Sequence, residues 1–570
     1  MRYIAFFLFL AYWPLMKNNG VTGSFSEYRF NHIHSGFDLS TRGETGYPLK
    51  CFGNGYVFMI KVKKRGYGNV VYIKHPDKRL ISVYAHLKRF NDKIQAVVER
   101  YKKKRKTRYP GLIVLEKGKI RVKKGEIIGY SGESGEGLPH LHFELRDYNN
   151  NPVDASLYGF DMRFDNSYPV IVSLKAMPQD AFSWVNGRCE QVDLKVKKKS
   201  KTLYTFEPFT VCGNVRFALN TYDRAGRGKI GVKEIVFYLN DKTVYHFLPD
   251  TFSFDSFKQS CCVFDFESTS LSPTMYYYNL FKVKGCTLPI SSGVENYPFK
   301  EGENRVSILV RDFHNNEVVL KGRFYYKKEP LKEMPDFTPL TVVKDGRVIF
   351  ADKLNSLIEF ENYAVFPYDG IKREYNYRTI HIEIEGLSTE KRLLKIEKTG
   401  YKRGFLKPVE GTFYRVSREN EFVKRIVYAF KLKKADKTYG VYYYDRFKKR
   451  WKFIGDDIKV VDKSVFLSAS YYRAGKVGVF IDNEKPSVSS KGFYFDEKTV
   501  IPAGDMGKGI DEQYSFLKSG EKVFKLEYDP DRKWLFYYKK LKEGLYTAHI
   551  SDLAGNSIEK RVYISKKRSR

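Results

Sequence analysis

Histidine ligates metals and moves protons near neutral pH, and in this sequence it is concentrated in one region. Six of the ten histidines of the 570-residue chain lie between His32 and His142. Three short motifs hold four of them: His34-Ser35-Gly36-Phe37-Asp38, Tyr84-Ala85-His86-Leu87, and a Gly-rich turn (Gly129-Tyr130-Ser131-Gly132) leading to Pro139-His140-Leu141-His142-Phe143-Glu144. On a strand, residues i, i+2 and i+4 share one face. His140, His142 and Glu144 therefore point one way, and Leu141 and Phe143 go into a core. Two imidazoles on one face can both ligate a metal, or one can ligate while the other handles protons. His34 and Asp38 could complete a three-ligand site with one position left open, the arrangement of catalytic zinc. Taken singly, each motif has a plainer explanation: a hydrogen-bonded turn for His34 and Asp38, a strand cap for His86, an ordinary β face for His140 and His142. Their order along one stretch is what points to a metal site. His32 points along the His34 face without matching a ligand position, and His75 closes a strand before a Pro-Asp turn, a structural place.

The elements that must position these residues are mostly strands. From about Phe25 to Asp147 the text alternates in short β-rich runs, such as GYVFMIKVKK, NVVYIKH, LISVYAHL, EIIGYSG and HLHFELRD, broken by Gly, Asp and Pro. Aromatic residues make up 16% of the chain, with 44 Tyr and 44 Phe, and both types favour half-buried pleated surfaces. One helix is expected, over residues 92–106 (DKIQAVVERYKKKRK), inside a densely basic stretch that reads as a solvated face or insertion. The formal charge of +35 draws such a surface to polyanions: nucleic acid, anionic lipid or an anionic cell envelope. Six cysteines without a CxxC pair argue against a zinc ribbon. Cys189, Cys212, Cys261, Cys262 and Cys286 cluster, allowing one or two disulfides in an exported protein, while Cys51 suits a core position.

The chain starts Met1-Arg2 followed by a short apolar run to Met16, too short for a membrane span and suited to a signal peptide or short anchor over residues 1–16. Beyond Asn151-Pro152 histidine becomes sparse and the text is repeated β pattern. Two segments open alike, at Asp165-Asn166 and Asp482-Asn483, each with a proline three residues after the Asn (Pro169 and Pro486). Two close alike, at Asp312-Phe313-His314-Asn315-Asn316 and Asp552-Leu553-Ala554-Gly555-Asn556, each an Asp/Asn-rich turn between apolar strands. The expected organisation is a catalytic domain over 17–160, an immunoglobulin-like β domain over 166–327, a β-rich region over 328–482 and a second immunoglobulin-like β domain over 483–566. The fold class is mainly β.

The ordered set HxxxD, YxHL, Gly-rich turn and HLHFE resembles the lysostaphin/LytM-type peptidoglycan metallopeptidases. Phe25-Ser26-Glu27-Tyr28-Arg29, Gly68-Asn69-Val70-Val71-Tyr72-Ile73-Lys74-His75 and Lys124-Gly125-Glu126-Ile127-Ile128-Gly129 fit the same pattern, which covers about residues 14–155. The closing Asp-Leu-Ala-Gly-Asn turn resembles bacterial immunoglobulin-like modules. The resemblance implies an antiparallel β groove with zinc on its floor. His34, Asp38 and His142 would be the metal ligands, with cobalt or manganese as substitutes, and His86 and His140 the catalytic histidines. It implies an exported zinc endopeptidase, in the periplasm or at the cell surface, that hydrolyses peptide cross-links of peptidoglycan for wall remodelling or division. Glu144 is a candidate acceptor for a ligand histidine, or a rim charge, and Tyr28 a candidate for reaching the oxyanion. The alternative function is a non-catalytic envelope-binding or regulatory protein on the same fold; intact ligand positions argue against it. A nucleic-acid binder rests on charge alone and no nucleic-acid motif supports it. Expected partners are peptidoglycan, an anionic envelope and, through the β domains, other envelope proteins.

Overall fold

The computed structural model describes residues 13–566 apart from short stretches, the longest being 330–340 and 351–362. Most of the expected signal peptide, residues 1–12, and the opening Asp165-Asn166 pair lie outside the described residues. Chain contacts divide the molecule into two compact units, Met1–Thr338 and Pro339–Arg570. The fold is mainly β, as the composition and alternation imply.

The histidine-bearing body is built on one antiparallel sheet. Its strands are β1 (Val21–Gly23), β2 (Phe37–Ser40), β3 (Gly55–Val62), β4 (Asn69–His75), β5 (Leu80–Ala85), β6 (Gly111–Val114) and β7 (His140–Asp147), in the spatial order β1-β2-β7-β5-β4-β3-β6. The order puts β7 between β2 and β5, so the three histidine motifs meet although 50 or more residues separate each from the next. Leu141, Phe143 and Leu145 of β7 are fully buried with Phe37 and Leu39 of β2. The other face of β7 carries the histidines.

The single long helix of this body, α1 (Asp92–Arg105), lies where the basic stretch predicted one. The Asn91 side chain accepts from the Ile94 N–H and so caps its start. Ile94, Val97 and Val98 tie it to the core, and Lys102, Lys103, Lys104 and Arg105 crowd its C-terminal turn, the end where the helix dipole favours positive charge.

The body does not stop at its last strand. Phe37 stacks on Phe160 at 4.7 Å and meets Phe313 edge-on at 5.3 Å. Phe25 stacks on Phe252, and the Ile33 N–H donates to the Phe257 carbonyl at 3.0 Å. One hydrophobic core thus runs from Leu15 through the following β region to Phe324. Trp13 and Leu15 belong to it: Trp13 stacks on Phe160, and Leu15 pairs with Leu49.

The two Asp/Asn-rich turns are hairpin turns of the same construction. Asp312 accepts from the backbone and side chain of Asn316 at 2.9 and 2.8 Å, and Asp552 from those of Asn556 at 2.8 and 2.9 Å. Each joins two long antiparallel strands, Gly302–Arg311 with Glu317–Lys327 and Gly544–Asp552 with Ser557–Ser565. A disulfide joins Cys262 to Cys286, Cys51 is a buried thiol, and Cys212 is buried. Among the described residues no helix is long and apolar enough to cross a membrane.

Candidate metal centre and active site

Strand register builds the site. His142 on β7 lies opposite Asp38 of β2 on one side and Ala85 of β5 on the other. The residue after Ala85 is His86, which leaves the strand with a left-handed backbone (φ 62°). It was expected within a strand; its place is the first residue beyond the end of one, and that turn swings the ring toward β7. His34 precedes β2 by three residues.

Three atoms converge. His34 Nε2 lies 3.1 Å from His142 Nδ1 and 3.2 Å from Asp38 Oδ1, and His142 Nδ1 lies 2.9 Å from Asp38 Oδ1. Their partners fix which nitrogen carries the proton. His34 Nδ1 faces the Ser24 carbonyl at 2.7 Å and donates to it, leaving a lone pair on Nε2. His142 Nε2 faces Glu144 Oε1 at 2.7 Å and donates to it, leaving a lone pair on Nδ1. Two nitrogen lone pairs and a carboxylate oxygen therefore point at one another, an arrangement suited to holding a cation between them. Ligands about 2.0–2.2 Å from a tetrahedral zinc would sit slightly farther apart than these atoms do, so the donor set fits with a small opening of the triangle. In the metal-free chain a proton serves instead. Burial opposes charge on His142, but hydrogen bonds to Asp38 and Glu144 outweigh it and raise its pKa to about 9. Burial lowers that of His34. Asp38 is held well below the usual carboxylate range despite burial, by the His34 and Arg29 charges and by hydrogen bonds from both histidines.

The surroundings hold the ligands in place, as outer partners of metal-binding histidines commonly do. Glu144 Oε1 also accepts from Ser35 Oγ at 2.7 Å and from the Tyr67 hydroxyl, and Glu144 Oε2 accepts from Arg146 Nε at 2.5 Å. Glu144 is thus a buried acceptor for the His142 ring, not a rim charge. Arg29 Nη2 reaches Asp38 Oδ2 at 2.5 Å, leaving Oδ1 to the triangle.

Two further imidazoles face the triangle. His140 Nδ1 donates to the Leu138 carbonyl at 2.6 Å, and its Nε2 lies 3.6 Å from Asp38 Oδ1. His86 Nδ1 donates to the Ser134 carbonyl at 2.9 Å. The two rings are 4.5 Å apart. Each has its Nδ1 proton anchored on backbone, so each presents an Nε2 lone pair. Burial first, then the neighbouring His140 and His142 charges, lower the His86 pKa to about 3; this ring is neutral at neutral pH.

Tyr67 completes the group, and the motifs did not point to it. Its ring centroid is 5.0 Å from that of His142 and 6.2 Å from that of His86, and its hydroxyl also meets Ser35 Oγ at 3.0 Å. Burial and then Glu144 hold its pKa well above the ordinary phenol range, so it keeps its proton. Tyr67 lies between two glycines, both with positive φ, that form the turn into β4. Tyr28 sits elsewhere, packed edge-on against Phe264 at 5.5 Å. His32 packs beside Phe257, and His75 hydrogen-bonds Asn54 and Ser82 away from the group. Next to Tyr67 a cavity of about 420 Å³ opens, walled by Lys61, Tyr72 and Arg146 and by Phe254 of the following β region.

Residues 32–104 match the family model described as Peptidase family M23. The chain carries a peptidase family M23 domain. The matched stretch includes His34, Asp38, Tyr67 and His86, and β7 with His140 and His142 lies beyond it. Among curated proteins, the M23 domain region is similar to the DD-carboxypeptidase/endopeptidase Mpg of Neisseria meningitidis serogroup B, at 31% identity over 123 residues, covering 21% of this chain and 22% of that protein. It is also similar to the outer membrane antigenic lipoprotein B of Haemophilus influenzae, at 32% over 125 residues, covering 22% and 24%. The chain thus spans less than a quarter of the length of these relatives. Among solved structures, a mutant catalytic domain of the prophage-encoded M23 protein EnpA from Enterococcus faecalis matches at 25% identity, covering 26% of this chain and 96% of that one, with a TM-score of 0.19.

Proposed function

We propose that this protein is a zinc-dependent endopeptidase that hydrolyses peptide cross-links in bacterial peptidoglycan, acting outside the cytoplasm. The observation that carries the proposal is the convergence of His34 Nε2, Asp38 Oδ1 and His142 Nδ1, with the His86 and His140 rings beside them. The M23 match and relatives named as a DD-carboxypeptidase/endopeptidase and an outer membrane antigenic lipoprotein support the substrate class and the exported location. The domain reading follows: a peptidase body over 17–160, β modules over 166–327 and 483–566, and a β-rich region over 328–482.

His34, Asp38 and His142 would hold the metal. Zinc bound by two nitrogens and an oxygen supplies Lewis acidity toward a carbonyl and lowers the pKa of a water toward neutrality. The chain's own groups do the rest. His86 and His140 each present Nε2 as a proton acceptor, and one ring takes the proton of the attacking water and passes it to the leaving amine. Tyr67, held protonated, is a hydrogen-bond donor for the oxygen on which negative charge develops. Glu144 fixes the His142 tautomer, and Arg29 orients Asp38. The Lys61 and Arg146 wall of the adjacent cavity suits a substrate bearing carboxylates, as peptidoglycan stems do.

The direct test is digestion of purified peptidoglycan, with released fragments separated and their new amino termini counted. Native protein should release fragments, chelation should stop it, and restored zinc should restart it. Release that persists after complete metal removal would sink the proposal.

A further inference from the structure

A second group of ligand-type side chains lies in the other unit, far along the chain from the histidines. Asp482, Asp505 and Asp552 place carboxylate oxygens within 4.8 Å of one another. Asp482 is wholly buried and Asp552 is 2% exposed. They come from three separate segments: the link after the strand Lys476–Ile481, the loop after Lys498–Gly504, and the end of Gly544–Asp552. Backbone amides hold each in position. The Lys508 N–H donates to Asp482 Oδ2, those of Gly507 and Gly509 to Asp505 Oδ2, and that of Asn556 to Asp552 Oδ1, all at 2.8 Å. Gly507 passes so close to Asp482 that a Cβ there would overlap its carboxylate.

No Lys, Arg or His among the described residues forms an ion pair with any of the three. The nearby Lys508 Nζ is committed elsewhere, to Asp456 and to the Lys437 carbonyl. Two buried carboxylates and a partly buried third, without a counter-charge, are costly. Two oxygens also lack hydrogen-bond partners. One is Asp505 Oδ1, buried and unpartnered. The other lies outside the acidic cluster: the hydroxyl of Tyr442, a wholly buried side chain on the strand Tyr439–Asp445. The Tyr442 ring packs edge-on against Phe480, two residues before Asp482, at 5.3 Å, and burial, with the Asp482, Asp505, Asp456 and Asp552 charges after it, holds the phenol above its ordinary range.

We propose that Asp482, Asp505 and Asp552, with the Tyr442 hydroxyl beside them, form a calcium site that joins the β-rich region ending at Asp482 to the last β module. The donors are oxygen only, with no histidine or cysteine, which selects a hard cation. Calcium accepts six to eight oxygens in irregular geometry at 2.3–2.6 Å, and ligands on opposite sides of such an ion lie as far apart as these atoms do. Tyr442 belongs to the β-rich region and Asp505 and Asp552 to the last module, so an ion here stiffens their junction.

The experiment uses the full chain, stripped with chelator and dialysed, and titrated with calcium alone by calorimetry and by equilibrium dialysis with radiolabelled calcium. One calcium per chain should bind, with a Kd on the order of 10⁻⁴ M or tighter, the range of extracellular modules and sensors. Asp505→Asn and Asp552→Asn should weaken binding at least tenfold, His142→Ala should leave it unchanged, and calcium should slow proteolysis of the native chain between residues 437 and 510. Terbium emission sensitised by a nearby tyrosine should fall in Tyr442→Phe. Absence of calcium binding by the native chain at millimolar calcium overturns the proposal whatever the variants do, and so does binding that survives both Asp substitutions.

Discussion

The two groups of ligand-type side chains differ in what surrounds them. His34, Asp38 and His142 offer two nitrogens and an oxygen, and two more imidazoles and a phenol face the same space. Asp482, Asp505 and Asp552 offer only oxygens, and their hydrogen-bond partners are backbone amides and the Asn556 side chain. A catalytic centre needs an ion that acidifies water and neighbours that take the proton. A structural one needs only charge balance and donors from several segments. Both groups are buried, so burial alone does not separate a reactive site from a brace; the neighbours do.

The largest effect expected is a double dissociation by chelators. A nitrogen-donor chelator such as phenanthroline, which favours borderline metals over calcium, should abolish release of peptidoglycan fragments and leave the calcium-dependent protection of the 437–510 region intact. A calcium-selective chelator in the presence of added zinc should do the reverse. If both properties vanish together under either reagent, the separation of the two sites is wrong.

Next come the histidines that are not ligands. His140→Ala and His86→Asn should retain about one zinc per chain by atomic absorption, yet lose about 10²–10⁴-fold in rate. Asparagine suits position 86 because the backbone there is left-handed, which Asn tolerates better than most residues. By contrast His142→Ala should lose the zinc itself. Native turnover in either His140→Ala or His86→Asn would remove these residues from the chemistry.

Glu144→Gln should act through the metal rather than on the substrate. It removes the charge and one of the two acceptor oxygens, so His142 and the buried Arg146 compete for the one that remains. Loss of such an outer partner costs about 10–100-fold in metal affinity, and breaking a buried pair costs about 3–5 kcal/mol. Zinc titration and thermal unfolding of the same sample measure both; unchanged zinc affinity with lowered stability would make Glu144 a packing residue only.

Much of the candidate site was legible because its motifs are local. HxH on a strand and HxxxD at a strand start place side chains by short-range geometry, and those four residues converge as the pattern implies. Tyr67 was not legible because its neighbourhood is made by tertiary contact: the turn into β4 folds over β7, and nothing in Gly-Tyr-Gly says which strand it will cover. The Asp trio was still less visible, since its members stand 23 and 47 residues apart and each alone is an ordinary turn aspartate. The repeated Asp-to-Asn hairpin clamp was legible as a turn, but not as the support of a possible ligand. The core shared by the histidine-bearing body and the first β region was hidden for a related reason. Phe160, Phe252 and Phe313 read as core residues of some domain, and only the packing shows that they cover Phe25 and Phe37.

The smallest effect concerns the lowered pKa of the His86 ring. His86 has a folded pKa of about 3 against 6.5 for an ordinary histidine. Between those values the unfolded chain binds the proton and the folded chain does not, so stability is fully present above 6.5 and falls as pH drops toward 3. From pH 6.5 to about pH 5 the loss attributable to this ring is about 2 kcal/mol. Denaturant unfolding of metal-free native protein and of His86→Asn across that window isolates it, because His34 and His75, whose pKa values are also lowered, contribute equally to both. The native chain should lose stability more steeply, and the two curves should converge toward pH 5. Parallel curves would mean that the ring is already solvated or paired in the folded state. His86 would then be a poor choice for a base that must wait, unprotonated, beside a metal site.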